Sequence, residues 1–102
     1  MITANYTAEG LRGVLKDGGT VRRAAVEALG ASVGGTIEAL YWMFGTDDLV
    51  IICDLPDDEA AVAIGLAVGA SGAASVRTAV LLTAEQIDAA AKASPAYRAP
   101  GS

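Results

Sequence analysis

The stretch Thr36–Leu55, TIEALYWMFGTDDLVIICDL, decides the fold. Two apolar runs flank a turn at Gly45-Thr46-Asp47-Asp48, where Gly and Asp adopt the conformations that close a hairpin. Alternation along the first run places Ile37, Ala39, Tyr41 and Met43 on one face, and Glu38, Leu40, Trp42 and Phe44 on the other. In the second run Leu49, Ile51, Cys53 and Leu55 oppose Asp48, Val50, Ile52 and Asp54. Both faces are apolar, as in strands covered on both sides. A domain this small has helices for one face only, so the second face needs a different cover.

On the N-terminal side, Ile2, Ala4 and Tyr6 alternate with Thr3 and Asn5 in a short strand. Thr7 caps the helix that follows, and Glu9 suits its positive end. The helix carries Leu11, Val14 and Leu15 to Asp17-Gly18-Gly19, where two glycines predict a break, and resumes from Thr20 to about Ala31. Arg12, Lys16, Arg22 and Arg23 hold most of the chain's positive charge; they read as a solvated outer face, with an anion site at the glycine break as the alternative.

On the C-terminal side, Pro56-Asp57-Asp58-Glu59 opens a helix that runs through Val62, Ile64, Leu66 and Val68 to Ser71-Gly72. Ser75–Leu82 alternates as a strand, with Val76, Thr78, Val80 and Leu82 against Arg77, Ala79 and Leu81. Thr83-Ala84-Glu85-Gln86 has the spacing of a capping box opening a last helix to about Ala93. The segment 94–102, with Pro95 and Pro100, reads as a loose tail after a domain spanning 1–93. The order strand, helix, strand, strand, helix, strand predicts an α+β, ferredoxin-like βαββαβ fold. It has an antiparallel four-stranded sheet, helices on one face and a short C-terminal helix. The bare sheet face predicts self-association, as a homodimer or higher oligomer in which two sheets close a barrel.

Composition narrows the chemistry. The chain of 102 residues is 53% hydrophobic and only 5% aromatic, and it has one cysteine and no histidine. One domain with a modest core is expected. No disulfide can close within the chain, and the commonest general base and metal ligand is missing, so neither a metal site nor a cofactor is expected. The net charge of −5 opposes binding to a nucleic-acid backbone. The longest apolar run, Ala60–Ala70, falls well short of the roughly 20 residues of a membrane span. The start, MITANYTAEG, lacks the basic and apolar blocks of a secretory signal, which makes the cytoplasm the expected location.

Strict alternation gathers Asn5, Glu38, Trp42, Asp48, Asp54 and Arg77 on the face away from the helices, among Leu40, Val50, Ile52, Ala79 and Leu81. A few polar groups on an apolar wall suit a small organic ligand. In the catalytic version Glu38 or Asp48 is a base, Arg77 holds an anionic oxygen, and Trp42 stacks on a planar substrate. In the plainer version Glu38 and Arg77 form a cross-strand pair at an interface. Tyr41 and Met43 fall on the helix side as core. Asp47-Asp48 reads as an acidic turn bonding its own backbone rather than a cation site, because adjacent strand residues point opposite ways.

Tyr6-Thr7-Ala8-Glu9-Gly10-Leu11, Gly18-Gly19 before Arg22-Arg23-Ala24-Ala25, Gly34-Gly35, and Tyr41 to Asp48 follow one another in a characteristic order, with Arg77-Thr78 on the last strand. Over about residues 4 to 92 the chain resembles the GYD domain family, small bacterial and archaeal proteins of the dimeric α/β-barrel type. The family is named for a Gly-x-Tyr-Asp turn; Gly45 and Asp48 match it, while Asp47 stands in the tyrosine's place. The resemblance implies a barrel dimer but no established activity. Related dimeric barrels include cofactor-independent oxygenases, isomerases and cyclases as well as binding domains. The expectation is a homo-oligomeric small-molecule-binding or assembly protein, with a cofactor-independent isomerase, cyclase or monooxygenase as the alternative.

Overall fold

A computed structural model describes residues 1–102 as a four-stranded antiparallel sheet with three helices. The elements are β1 (Ile2–Tyr6), α1 (Ala8–Ser32), β2 (Thr36–Trp42), β3 (Leu49–Asp54), α2 (Asp58–Ser71), β4 (Ala74–Thr78) and α3 (Ala84–Ala93). The strand order is β2-β3-β1-β4, so the hairpin strand β3 pairs with β1 at the centre, and β2 and β4 form the edges.

Each helix begins where its local chemistry directs. The Thr7 side chain accepts from the Gly10 N–H at 3.1 Å, and the Asp57 carboxylate accepts from the Ala60 N–H at 2.8 Å. Thr83 and Gln86 complete a reciprocal capping box, each satisfying a donor the first turn would otherwise leave free. The break in α1 falls at Gly18, whose φ of 77° interrupts the helix without ending it, a conformation that costs glycine little. The left-handed cap Gly72 closes α2.

Ile2, Ala4, Leu40, Leu49, Ile51 and Ile64 form the core. Val26 and Leu29 of α1, Val33 at its C-terminal cap and Val68 of α2 pack against it, so both long helices cover the same sheet face. Arg12, Lys16 and Arg23 are exposed on α1, and Arg23 pairs with Glu27 one turn on. The fourth strand is shorter than its sequence pattern suggests. Its ladder ends with reciprocal backbone bonds between Met1 and Ala79, and Val80, Leu81 and Leu82 leave the sheet.

One irregularity reorganises the hairpin. Between Ile37 and Ala39 the β2–β3 register slips: Ile37 faces Cys53, but Ala39 faces Ile52 and Leu40 faces Ile51. Glu38 is the extra residue, and a bulge of this kind reverses the parity of everything after it. Leu40 is therefore buried helix-side core, contrary to strict alternation. Trp42 pairs with buried Leu49, and its ring lies beside Gly19 of α1. Tyr41 pairs with Val50 on the open face and is 67% exposed. The two aromatic residues have exchanged the faces that alternation assigns them.

Candidate functional site

The open face is walled by Ala39 and Tyr41 of β2, Val50 and Ile52 of β3, and Thr3 of β1. All of these alternate with the buried helix-side residues. Asn5 and Arg77 join them from β1 and β4, since Thr3 faces Arg77 and Asn5 faces Ser75 across an antiparallel ladder. No helix of the chain covers this surface, because α1 and α2 both pack on its reverse.

The turn after Gly45 delivers two carboxylates to it with different tasks. Asp48 ties the hairpin tip to the central strand. Its N–H donates to the Ala4 carbonyl at 2.9 Å, its carbonyl accepts from the Met43 N–H at 2.9 Å, and its Oδ2 accepts from the Tyr6 N–H at 2.9 Å. Asp47 turns to the open face, where its Oδ1 accepts from Asn5 Nδ2 at 3.4 Å and also from the Arg77 guanidinium. The two acids of the turn thus bond to β1 and β4 rather than to their own backbone.

The Asp47 side chain is only 16% exposed whereas that of Arg77 is 63% exposed. The carboxylate is largely consumed in fixing the guanidinium, whose fork keeps donors for an incoming anion. Asp47 was not among the residues that alternation singled out. The signal that could have found it is its place in the turn beside Asp48, a position the resemblance already marks as a departure from the expected tyrosine.

The six residues expected to share a site fall into three places. Asn5 and Arg77 meet, through Asp47, at the turn end of the open face. Asp48 lies beside them but is occupied in holding β1. Glu38 and Asp54 line a hollow of about 560 Å³ at the opposite end of the sheet, beside Met1, Cys53, Asp57 and Thr83. Trp42 is on the helix side and takes no part. A Glu38–Arg77 cross-strand pair is ruled out by topology, because β2 and β4 are opposite edges of the sheet. No three carboxylate or thiol groups converge in a manner that would hold a metal ion.

Cys53 is a half-buried strand residue. Burial pushes its thiol above the ordinary range; the charges of Glu38 and Asp54 add to the effect, and the Met1 ammonium opposes it. The folded state therefore favours the neutral thiol, so stability from this group is present below the ordinary thiol value and declines as pH rises through the raised one. Since the thiolate is the reactive form, iodoacetamide at pH 8 labels Cys53 in the folded protein roughly tenfold or more slowly than in urea. Equal rates in the two states would contradict this placement.

A family model for the GYD domain matches residues 1–91. No curated protein and no solved structure matches the chain. The family match spans all four strands and both long helices, including the turn from which Asp47 and Asp48 reach β1 and β4. The chain belongs to the GYD domain family.

Proposed function

We propose that this protein is a homo-oligomeric binding module in which the open sheet face meets the same face of a second copy and encloses a small organic anion. The observation that carries this reading is the uncovered apolar wall of Ala39, Tyr41, Val50 and Ile52, with Arg77 fixed beside it by Asp47 and Asn5. A soluble surface rarely leaves such a wall bare, and a pre-oriented guanidinium at its edge gives the enclosed space a charge preference. The antiparallel sheet and the element order support a ferredoxin-like arrangement, for which two facing sheets make a barrel. The free thiol suits a reducing cytoplasm.

Binding is favoured over catalysis by the way the acids are placed. A cofactor-independent isomerase or oxygenase would set a free base beside the anion-holding arginine. Here Asp47 is already bonded to Arg77 and Asn5, Asp48 to the Tyr6 N–H, and Glu38 lies at the far edge.

Two measurements test the reading. In light scattering at micromolar concentration the wild type exceeds its chain mass of 10.2 kDa, and Val50→Arg, which sets a charge into the apolar wall, lowers the oligomer mass at least twofold. Titration with a panel of aromatic carboxylates, followed by amide shifts, moves Thr3, Asn5 and Val50, and Arg77→Ala weakens the best ligand by about tenfold, roughly 1.4 kcal/mol. A wild type at single-chain mass, or affinity unchanged without Arg77, removes the proposal.

A further inference from the structure

A single copy of the chain is more extended than a compact domain of its size. Its accessible surface is 7121 Å², whereas a compact monomer of this mass exposes about 5,300 Å². Its radius of gyration is 17.3 Å, against about 13 Å for a compact domain of this length. The excess of roughly 1,800 Å² on one chain is more than the roughly 800 Å² that each partner gives to a standard protein–protein interface. Much of it lies in the last part of the chain, where every residue from Arg77 onward is exposed. Val80, Leu81 and Leu82, at 81%, 53% and 60% exposure, lead into α3, which buries none of its residues. A ten-residue helix of this kind is marginal in water without a surface to pack on.

A surface of matching character lies along α2. From Ala60 to Ser71 that helix carries no charge, and a helix apolar on all sides is one that something covers. Its inner side meets the sheet through Ala60 and Ile64, but Val62 and Leu66 are 59% and 69% exposed. They border a shallow, open hollow of about 500 Å³ between α2 and β4, lined also by Gly65, Val76 and Val80. On α3 the residues Ala84, Ile87 and Ala91 form one apolar stripe, bordered along one side by Asp88 and then by Glu85 and Lys92. Laid antiparallel to α2, α3 brings Lys92 of its last turn to Asp58 and Glu59 of the α2 first turn, and opposes the two helix dipoles.

We infer that α3 is an exchanged arm: the α3 of one copy packs into the α2–β4 hollow of a second copy, with Ile87 seated against Leu66. The contact uses a different surface from the open sheet face, and the two stand or fall separately.

Cysteine cross-linking in the full chain tests it, on a Cys53→Ala background. Chains carrying Ile87→Cys are mixed with isotopically labelled chains carrying Leu66→Cys, allowed to exchange, and oxidised. Nearly all disulfide is then expected between the two kinds of chain, and it persists when Val50→Arg is added. A mixed yield no higher than the random share overturns the arm, as does a doubly substituted chain that closes the disulfide within itself. Hydrogen exchange gives a second measure. The α3 amides show roughly tenfold or greater protection at concentrations where the oligomer forms, and Leu66→Glu abolishes it. Unprotected α3 amides, or protection that survives Leu66→Glu, would place the helix elsewhere.

Discussion

Gly10→Val lowers the stability of the folded chain by about 3 kcal/mol, the upper range for forcing bulk into a packed site. Gly10 is buried in the first turn of α1, where the chain passes directly over the loop joining α2 to β4. A Cβ built there would stand 2.0 Å from the Ala73 carbonyl oxygen and 3.1 Å from Tyr6 Cδ1. The carbonyl cannot move away freely, because it accepts from the Thr7 N–H at 2.9 Å and from the Thr7 hydroxyl at 3.2 Å. The start of α1, the end of β1 and the start of β4 are clamped together at this point. In a domain of this size about 3 kcal/mol corresponds to a fall of roughly 12–24 °C in Tm. Gly13 is the internal control. It lies in the same helix with nothing within 4 Å of a built Cβ, so Gly13→Ala raises stability by up to about 1 kcal/mol through helix propensity alone. Thermal melts of the two variants moving in the same direction would refute the clamp.

Asp48→Ala costs about 2–3 kcal/mol, the range for losing a hydrogen bond to a charged group and stranding its partner. The partner is the Tyr6 N–H at the end of β1, which has the Asp48 carboxylate as its acceptor. The substitution leaves the two backbone bonds of Asp48 possible and removes only the side-chain latch. Asp48→Asn keeps an acceptor of the same shape and recovers about half of the loss. Asp47→Ala behaves differently. It frees Arg77 and Asn5 on a solvated face and changes stability by less than about 1 kcal/mol, while loosening the anion site. Urea unfolding of the three variants separates a structural acid from a positioning one. Equal losses at Asp47 and Asp48 would contradict the division of labour.

The two neighbouring acids also mark the limit of what the turn reveals. Gly45 and the acids announce a turn, and the family pattern marks the aspartate that Asp48 matches. Which strand each carboxylate reaches depends on β1 and β4 lying side by side, a neighbourhood made by residues far away in sequence. Asp47 faces Arg77 thirty residues on.

The Thr36–Leu55 hairpin shows where local pattern suffices and where it does not. By itself the sequence determines that two apolar strands flank a turn, that Thr7, Asp57 and Thr83 start helices, that Gly18 interrupts one, and that four strands and two long helices make an α+β domain. These follow from periodicity and from groups bonding within a few residues of each other. Only the tertiary structure decides that Glu38 is a bulge, because a bulge is settled by the partner strand's register and leaves no mark on composition. That single extra residue puts Trp42 on the helix side and Tyr41 on the open face, while the strand order alone separates Glu38 from Arg77. The exposed α3 is likewise invisible in its own sequence, which caps and patterns it as well as any packed helix. Whether such a helix finds its cover within the chain is settled by the three-dimensional path of residues 79–83, which carries it off the sheet.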